Sequence, residues 1–251
     1  MPGWLRRWRE NRIIRRSDLG RAEWADICRR LHALQRLDEG DRERLRQLVM
    51  LFLHDKQIHG AGGAEPDRTM RLVIAAQASL PVLNLGLDWY AGWHSVLVYP
   101  EAFVAPHEVM DEDGVVHVGA SIQAGESWDD GPVILAWDEV MDVQGGCNLV
   151  IHEFAHKLDA ANGVANGMPP LHRGMDRKRW TDVFSSAWED FSARVDDGEA
   201  VPIDPYAAEA PEEFFAVFSE SFFENPRAVR ELYPDVYEQL RQFYRQDPLG
   251  D

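Results

Sequence analysis

The sequence predicts an α+β fold that is mainly helical, with a small mixed β-sheet beside one buried central helix. Apolar residues recur at helical spacing through the first 80 residues and again after residue 176. Short β-branched runs bounded by turn residues are confined to residues 95–137. Between these strands and the last helices lies an apolar segment, Leu149–Asp159, that carries two histidines and a glutamate.

Each predicted element has a residue that begins or ends it. Asp18 caps the first helix, Pro66 or Asp67 opens the third, and Pro81 ends that third helix. Residues 58–63 are rich in glycine and predict a turn, and residues 111–114 have the turn chemistry of a hairpin. The predicted helices cover residues 18–36, 41–53, 67–80, 149–159, 176–195, 211–220 and 235–246. The predicted strands cover residues 95–99, 103–110, 115–122 and 132–137.

The composition is that of a folded protein with a strong negative charge. Hydrophobic residues make up 45 % of the 251 residues, and nine are tryptophan, which suits one domain with a core. The net charge of −17 argues against direct nucleic-acid binding, which requires a basic footprint. Two distant cysteines, Cys28 and Cys147, predict neither a disulfide framework nor a cysteine metal site. The lack of a disulfide framework favours a reducing cytoplasm, and the sequence shows no secretory signal or membrane-spanning apolar run.

The domain organisation is predicted from charge. Residues 1–18 carry six arginines together with Trp4 and Trp8, and they are predicted to form a basic N-terminal arm. Such an arm could bind anionic lipid or an acidic partner, but the favoured interpretation is an arm folded back on the acidic remainder of the chain. Residues 19–251 are predicted to form a single domain whose first helices cover its functional core.

The central segment contains the pattern H-E-x-x-H, formed by His152, Glu153 and His156. Residues four apart lie on one face of a helix, so two imidazoles can point at a single metal ion. Glu153 can then face a water on that metal without binding the metal. Zinc held by two histidines and a third residue keeps an open position, and its bound water is acidified. The pattern predicts one Zn²⁺ per chain, peptide hydrolysis and a zincin-like fold; an amphipathic helix facing water is disfavoured because the segment is apolar.

The third metal ligand does not follow the motif at the spacing used by metzincins. That pattern requires glycine at position 159 and histidine or aspartate at position 162, where this chain has Asp159 and Asn162. Asp159 lies on the same helix face as His156 and could bind the metal. It is better suited to accept a hydrogen bond from the second ring nitrogen of a histidine.

Better candidates for the third ligand lie around the helix that Pro211 opens. Glu213 is favoured because two phenylalanines follow it at once, which places it where the helix enters the core. Glu209 and Glu212 remain open as substitutes. Glu220 lies two turns beyond Glu213 on the same face, where it could either hydrogen-bond a motif histidine or face solvent.

These two regions resemble the Mlc titration factor A family of bacterial zinc peptidases, whose core is similar to the anthrax lethal factor protease domain. The residues that carry the resemblance are His152-Glu153-Phe154-Ala155-His156-Lys157-Leu158-Asp159, Tyr206 and Glu213-Phe214-Phe215-Ala216-Val217. The resemblance implies that zinc is held by His152, His156 and Glu213. It also implies that Glu153 is the catalytic base and that Tyr206 stabilises the oxyanion.

Two functions are consistent with these residues and with the resemblance. The first is a zinc metallopeptidase of aminopeptidase-like or limited activity, with residues 121–128 predicted as the edge strand that pairs with a peptide or protein substrate. The resemblance further implies a regulatory role through an Mlc-like transcriptional repressor. The alternative is a non-catalytic module that sequesters such a regulator, with the zinc site ancillary.

Overall fold

The computed structural model describes residues 3–110, 116–123, 125–127, 131–141 and 147–250, and for residues 103–110, 116–123 and 126 it describes only the backbone. The predicted hairpin turn at residues 111–114 lies outside the described residues. The helices are α1 (Gly3–Arg16), α2 (Arg21–Arg30), α3 (His32–Gln35), α4 (Glu39–Asp55), α5 (Arg68–Ser79), α6 (Trp137–Met141), α7 (Leu149–Asp159), α8 (Arg177–Asp196), α9 (Pro211–Glu224), α10 (Pro226–Leu232) and α11 (Pro234–Tyr244). The strands are β1 (Gln57–Gly60), β2 (Ser95–Tyr99), β3 (Phe103–Met110), β4 (Val116–Gln123), β5 (Gly125–Ser127) and β6 (Val133–Ala136).

The strands form one mixed sheet and one hairpin, and the fold is α+β and mainly helical, as predicted. In the sheet the order is β1-β2-β6-β5, with β1, β2 and β6 parallel and β5 antiparallel to β6. The second unit pairs β3 with β4 antiparallel, so that Phe103 lies opposite Gln123. Strand β5 is an edge strand of the mixed sheet in the described part of the chain.

Two local predictions differ from the structure. Residues 57–60 form strand β1, where the sequence predicts a turn from residue 58, because pairing with β2 rather than local alternation defines this strand. The predicted helix 18–36 is broken at Leu31, whose φ of −104° and ψ of 111° are extended and separate α2 from α3. The side chain of Leu31 is buried, so packing holds this break in the core.

The motif helix α7 lies at the centre of the fold, in contact with the sheet on one side and with α5 and α9 on others. Phe154 anchors it: the ring centroid lies 5.1 Å from that of Tyr90, 5.5 Å from Trp93 and 5.7 Å from Phe52. The Tyr90 and Trp93 rings meet Phe154 edge-on and the Phe52 ring is tilted, and together the rings bury a large apolar area. The core therefore fixes both the position and the rotation of α7.

The aromatic stripe of α8 belongs to the core. Trp180 stacks on Phe184 with ring centroids 4.1 Å apart, and Phe191 meets Phe214 of α9 edge-on. All four side chains are buried. Packing against α8 thereby fixes the first turns of α9.

Helix α1 packs less tightly than α7, α8 and α9. It contains no buried residue and lies against α4. Among the described residues, no helix is both long and apolar enough to cross a membrane.

Candidate metal centre

Helix α7 begins at a side-chain cap. The Asn148 carboxamide oxygen accepts a hydrogen bond of 3.0 Å from the backbone N–H of Ile151, which satisfies one of the free donors of the first turn. On the inner face of this helix, His152 and His156 bring their Nε2 atoms to 3.1 Å from each other. The two imidazoles thus point at one place, as their spacing predicts.

Glu213 reaches the same place from the first turn of α9. Its Oε2 atom lies 3.1 Å from His152 Nε2 and 3.4 Å from His156 Nε2. This oxygen is buried, and neither contact has the geometry of a hydrogen bond. Within the described part of the chain, these three residues form the group whose ligand atoms could share a metal ion.

The donor atoms fit a zinc ion. Atoms bound about 2.0–2.1 Å from a tetrahedral zinc lie about 3.3–3.4 Å apart. The separations of 3.1, 3.1 and 3.4 Å come close to this spacing. Two nitrogens and a carboxylate oxygen are also ordinary zinc ligands, and three protein ligands leave a fourth position free.

Glu220 orients the first histidine. Its Oε1 lies 2.5 Å from His152 Nδ1, and its Oε2 accepts a 2.6 Å hydrogen bond from the backbone N–H of Asn148. A carboxylate at Nδ1 holds the proton there, so Nε2 presents its lone pair to the centre. Glu220 is buried, which resolves the choice left open by the sequence in favour of the histidine contact.

The charges around the centre favour a cation. Burial lowers the pKa of His152, but the carboxylates of Glu220 and Glu213 outweigh it and raise that pKa well above its usual range. Burial raises the pKa of Glu213, yet the two histidines lower it to about 2. Positive charge between these side chains is therefore stabilised, and a metal ion would supply it.

Glu153 is buried beside the centre and has an oxygen, Oε2, with no hydrogen-bond partner among the described residues. Burial raises the pKa of Glu153 to about 7. Strand β5 passes so close that a Cβ at Gly125 would overlap Glu153 Oε1 and lie 2.8 Å from its Cδ. Only glycine allows the strand to approach the carboxylate in this way.

Tyr206 lies at the mouth of the centre. It belongs to a 3₁₀ turn, Pro205–Ala208, which Asp204 caps by accepting a 2.9 Å hydrogen bond from the backbone N–H of Tyr206. The Tyr206 ring centroid lies 6.1 Å from that of His152, and the side chain is 50 % exposed. Burial and the nearby charge of Glu213 raise the pKa of Tyr206 to about 12, so its hydroxyl stays protonated and can donate.

Asp159 has a different role from the one expected. Its Oδ2 accepts hydrogen bonds of 2.7 Å and 2.6 Å from the backbone N–H groups of Asn166 and Gly167. It therefore ties the following loop to α7. Its other oxygen, Oδ1, has no hydrogen-bond partner among the described residues, so Asp159 does not orient a histidine. Glu209 and Glu212 also lie outside the group of three ligand atoms.

Two residues of the site were not identified from the sequence. Asn148 precedes an apolar helical run, which is the usual signal of a helix cap and could have been recognised. Gly125 carries no such signal, because its importance depends on the contact between β5 and Glu153. Of the predicted edge strand at residues 121–128, residues 121–123 belong to β4 of the hairpin and residues 125–127 form the edge strand β5, while residues 124 and 128 lie outside the described residues.

Comparison with known proteins extends beyond the motif. Residues 5–245 match the family model described as glucose-regulated metallo-peptidase M90. The chain is 41 % identical over 221 residues to Mlc titration factor A of Pectobacterium atrosepticum, covering 85 % of this chain and 82 % of that protein. It is 37 % identical over 234 residues to Mlc titration factor A of Yersinia pestis (strain Pestoides F), covering 91 % and 86 %.

These matches span nearly the whole chain rather than the motif alone. A metallopeptidase family implies a metal, and the described residues supply one group suited to hold it. The chain belongs to the glucose-regulated metallo-peptidase M90 family, together with the Mlc titration factor A proteins.

Proposed function

We propose that this chain is a zinc-dependent peptidase of zincin-like fold whose centre is formed by His152, His156 and Glu213. One observation carries the proposal. Three ligand atoms from two helices converge within 3.4 Å of one another, beside a buried glutamate, Glu153, whose Oε2 has no hydrogen-bond partner among the described residues. A structural zinc site would be closed by a fourth protein ligand, commonly cysteine.

The chemistry divides between the metal and the chain. When bound, zinc acidifies a water molecule and polarises the carbonyl of the peptide bond. Glu153 accepts a proton from the attacking water and delivers it to the leaving amine, the role of a buried carboxylate next to the metal-bound water. The Tyr206 hydroxyl donates a hydrogen bond to the oxygen of the scissile carbonyl as negative charge develops on it.

The substrate would lie along β5. This strand borders Glu153 and pairs with β6 on one side only in the described part of the chain. An extended peptide can add to such an edge through backbone hydrogen bonds. Its carbonyls would then run past the ligand group and Tyr206.

Metal analysis and peptide hydrolysis test the proposal together. We expect about one zinc per chain in the wild type, since one centre is formed. His156→Ala and Glu213→Ala should lose the metal, whereas Glu153→Gln should retain zinc and lose hydrolysis. Zinc retained in Glu213→Ala would contradict the ligand set, and normal hydrolysis by Glu153→Gln would contradict the mechanism.

A second function is favoured by the names of the relatives. Proteins 41 % and 37 % identical to this chain are called Mlc titration factor A. We infer that this chain binds a transcriptional repressor of the Mlc type, either as its regulatory partner or as its main activity. A pull-down with such a repressor should give equal capture by the wild type and by Glu153→Gln if binding is independent of hydrolysis. No capture by either protein would reject the repressor as a partner.

A further inference from the structure

Helix α1 is attached to the protein along one side only. Leu5, Ile13 and Ile14 are half-buried towards the body of the protein, and Arg6 forms ion pairs with Glu10 and with Asp88 of the turn after α5. No residue of α1 is fully buried. The opposite side of the helix is therefore free to meet another surface.

The outward stripe of α1 combines tryptophan and arginine. Trp4, Trp8, Arg12 and Arg15 are spaced four, four and three residues apart and so share one helix face. Trp4 is 66 % exposed and Trp8 59 % exposed, and the Arg12 guanidinium lies 5.6 Å from the Trp8 ring centroid. No other tryptophan among the described residues is comparably exposed.

Beside this stripe, a cavity of about 540 Å³ is lined by residues of α1, α4 and α5. Its floor is apolar and its rim on α1 is basic. The floor includes Met50, Leu53 and Leu72, and the rim includes Arg9, Arg12 and Arg16. A ligand that fits this groove would carry both negative charge and an apolar part.

The charge of α1 is opposite to that of the remaining chain. Six arginines and one glutamate give the helix a formal charge of +5, which leaves −22 for the other residues. Even so, the side chains of Arg7, Arg9, Arg15 and Arg16 form no ion pair or hydrogen bond with any described residue. Most arginines of α1 are therefore not paired with acidic residues of the protein itself.

We propose that the outer face of α1 binds the surface of membranes containing anionic phospholipid, with the helix lying in the plane of the interface. Tryptophan is suited to this boundary because its ring is apolar and its N–H is polar. Arginine can bury its stem while its guanidinium binds lipid phosphate. Each basic residue near an anionic surface strengthens binding about fivefold. The acidic body lies behind α1, where salt screens its repulsion beyond about 8 Å.

An acidic protein segment fits these observations less well. It would satisfy the arginines but would leave two exposed tryptophans and an apolar groove with no matching surface. A bilayer interface meets both requirements at once, as for other basic amphipathic helices that carry tryptophan.

Co-sedimentation of the full chain with vesicles tests the proposal. We expect binding to equal parts of phosphatidylglycerol and phosphatidylcholine, and none to phosphatidylcholine alone. Arg12→Glu with Arg15→Glu should weaken binding about 30-fold or more, given the contribution of each basic residue at the surface. Trp4→Ala with Trp8→Ala should weaken binding about tenfold or more, because interfacial binding scales with buried apolar area.

The matched control is Arg173→Glu with Arg177→Glu, which makes the same change in net charge at two exposed arginines far along the chain. It should bind vesicles as the wild type does. An equal loss in this control would show a net-charge effect and overturn the proposal. The proposal would also be overturned if the wild type did not sediment with vesicles. It would be overturned too if Arg12 and Arg15 bound poly-glutamate while the protein bound no vesicles.

Discussion

The Nδ1 atom of His152 lies 2.5 Å from the buried carboxylate of Glu220, two turns beyond Glu213 on α9. One helix thus supplies both the carboxylate that converges with the histidines and the carboxylate that sets the ring orientation of the first histidine. The rotation of α9 about its own axis therefore determines two parts of the centre together. Phe214, Phe215 and Phe218 are buried and fix that rotation.

We predict that Glu220→Gln lowers zinc affinity by about 10- to 100-fold, the usual effect of removing a carboxylate partner from a metal-binding histidine. Competition for zinc with a chromogenic chelator measures the affinity of each variant. Glu212→Gln is the matched control, because Glu212 occupies the first turn of the same helix outside the ligand group. Equal affinity in Glu220→Gln and Glu212→Gln would mean that the contact with His152 does not orient a ligand.

We predict that Gly125→Ala lowers peptide hydrolysis by about 100-fold while zinc content stays unchanged, because a misplacement of about 1 Å can cost that much. The added Cβ would overlap the Glu153 carboxylate and lie 2.7 Å from Leu149 Cδ1, so the carboxylate must move. None of the three atoms nearest to the added Cβ belongs to His152, His156 or Glu213. The readout is kcat with metal content measured on the same sample.

Gly174→Ala provides the control for Gly125→Ala. A Cβ at position 174 would meet no atom within 4 Å, so activity should be that of the wild type. If Gly125→Ala hydrolyses peptides as fast as Gly174→Ala, then β5 does not constrain Glu153. Loss of zinc from Gly125→Ala would instead indicate a wider disturbance of the centre.

The helix positions and the pair of histidines could be predicted because both depend on local spacing. His152 and His156 share a face in any helix, and the apolar residues around them identify that helix as buried. Glu213 is 57 residues beyond His156, and no local rule connects them. The choice of Glu213 over Glu209 rested on where α9 enters the core and on the family resemblance.

The contacts that could not be predicted depend on how distant segments meet. Asp159 has the right spacing to reach a histidine. However, the loop after α7 folds back, and the backbone N–H groups of Asn166 and Gly167 donate hydrogen bonds to its carboxylate. Strand β1 is too short to show an alternation of apolar and polar residues, and it is defined by its parallel pairing with β2. Gly125 is distinguished only by the approach of Glu153.

We predict that Phe154→Ala lowers the free energy of unfolding of the metal-free protein by about 3–5 kcal/mol, the range for truncation of a buried phenylalanine. The Phe154 ring packs against Tyr90, Trp93 and Phe52, and α7 would lose its anchor. Urea unfolding with chelator present measures the change. Val164→Ala is the control, because Val164 is 73 % exposed and should cost less than about 0.5 kcal/mol.

Glu224 should make the stability of the metal-free protein fall as pH rises. Burial raises the pKa of Glu224 above its usual value of 4.5, and the hydrogen bond from Asn148 and the charge of Arg36 only partly offset this. Glu220 on the same helix adds repulsion, and His32 Nδ1 lies 3.9 Å from a Glu224 oxygen. Because the folded-state pKa is the higher one, the folded protein binds more protons than the unfolded chain above a pH of about 4.5.

The variant Glu224→Gln removes this titration and keeps an oxygen that can accept the 2.7 Å hydrogen bond from Asn148 Nδ2. We expect the free energy of unfolding of Glu224→Gln, relative to that of the wild type, to increase as pH rises from about 4.5 through the raised folded-state pKa, and then to level off. Urea titrations across this range, with chelator present, measure the difference. A difference that is constant with pH would show that Glu224 titrates alike in both states. One that decreases as pH rises would show that Arg36 and Asn148 outweigh burial.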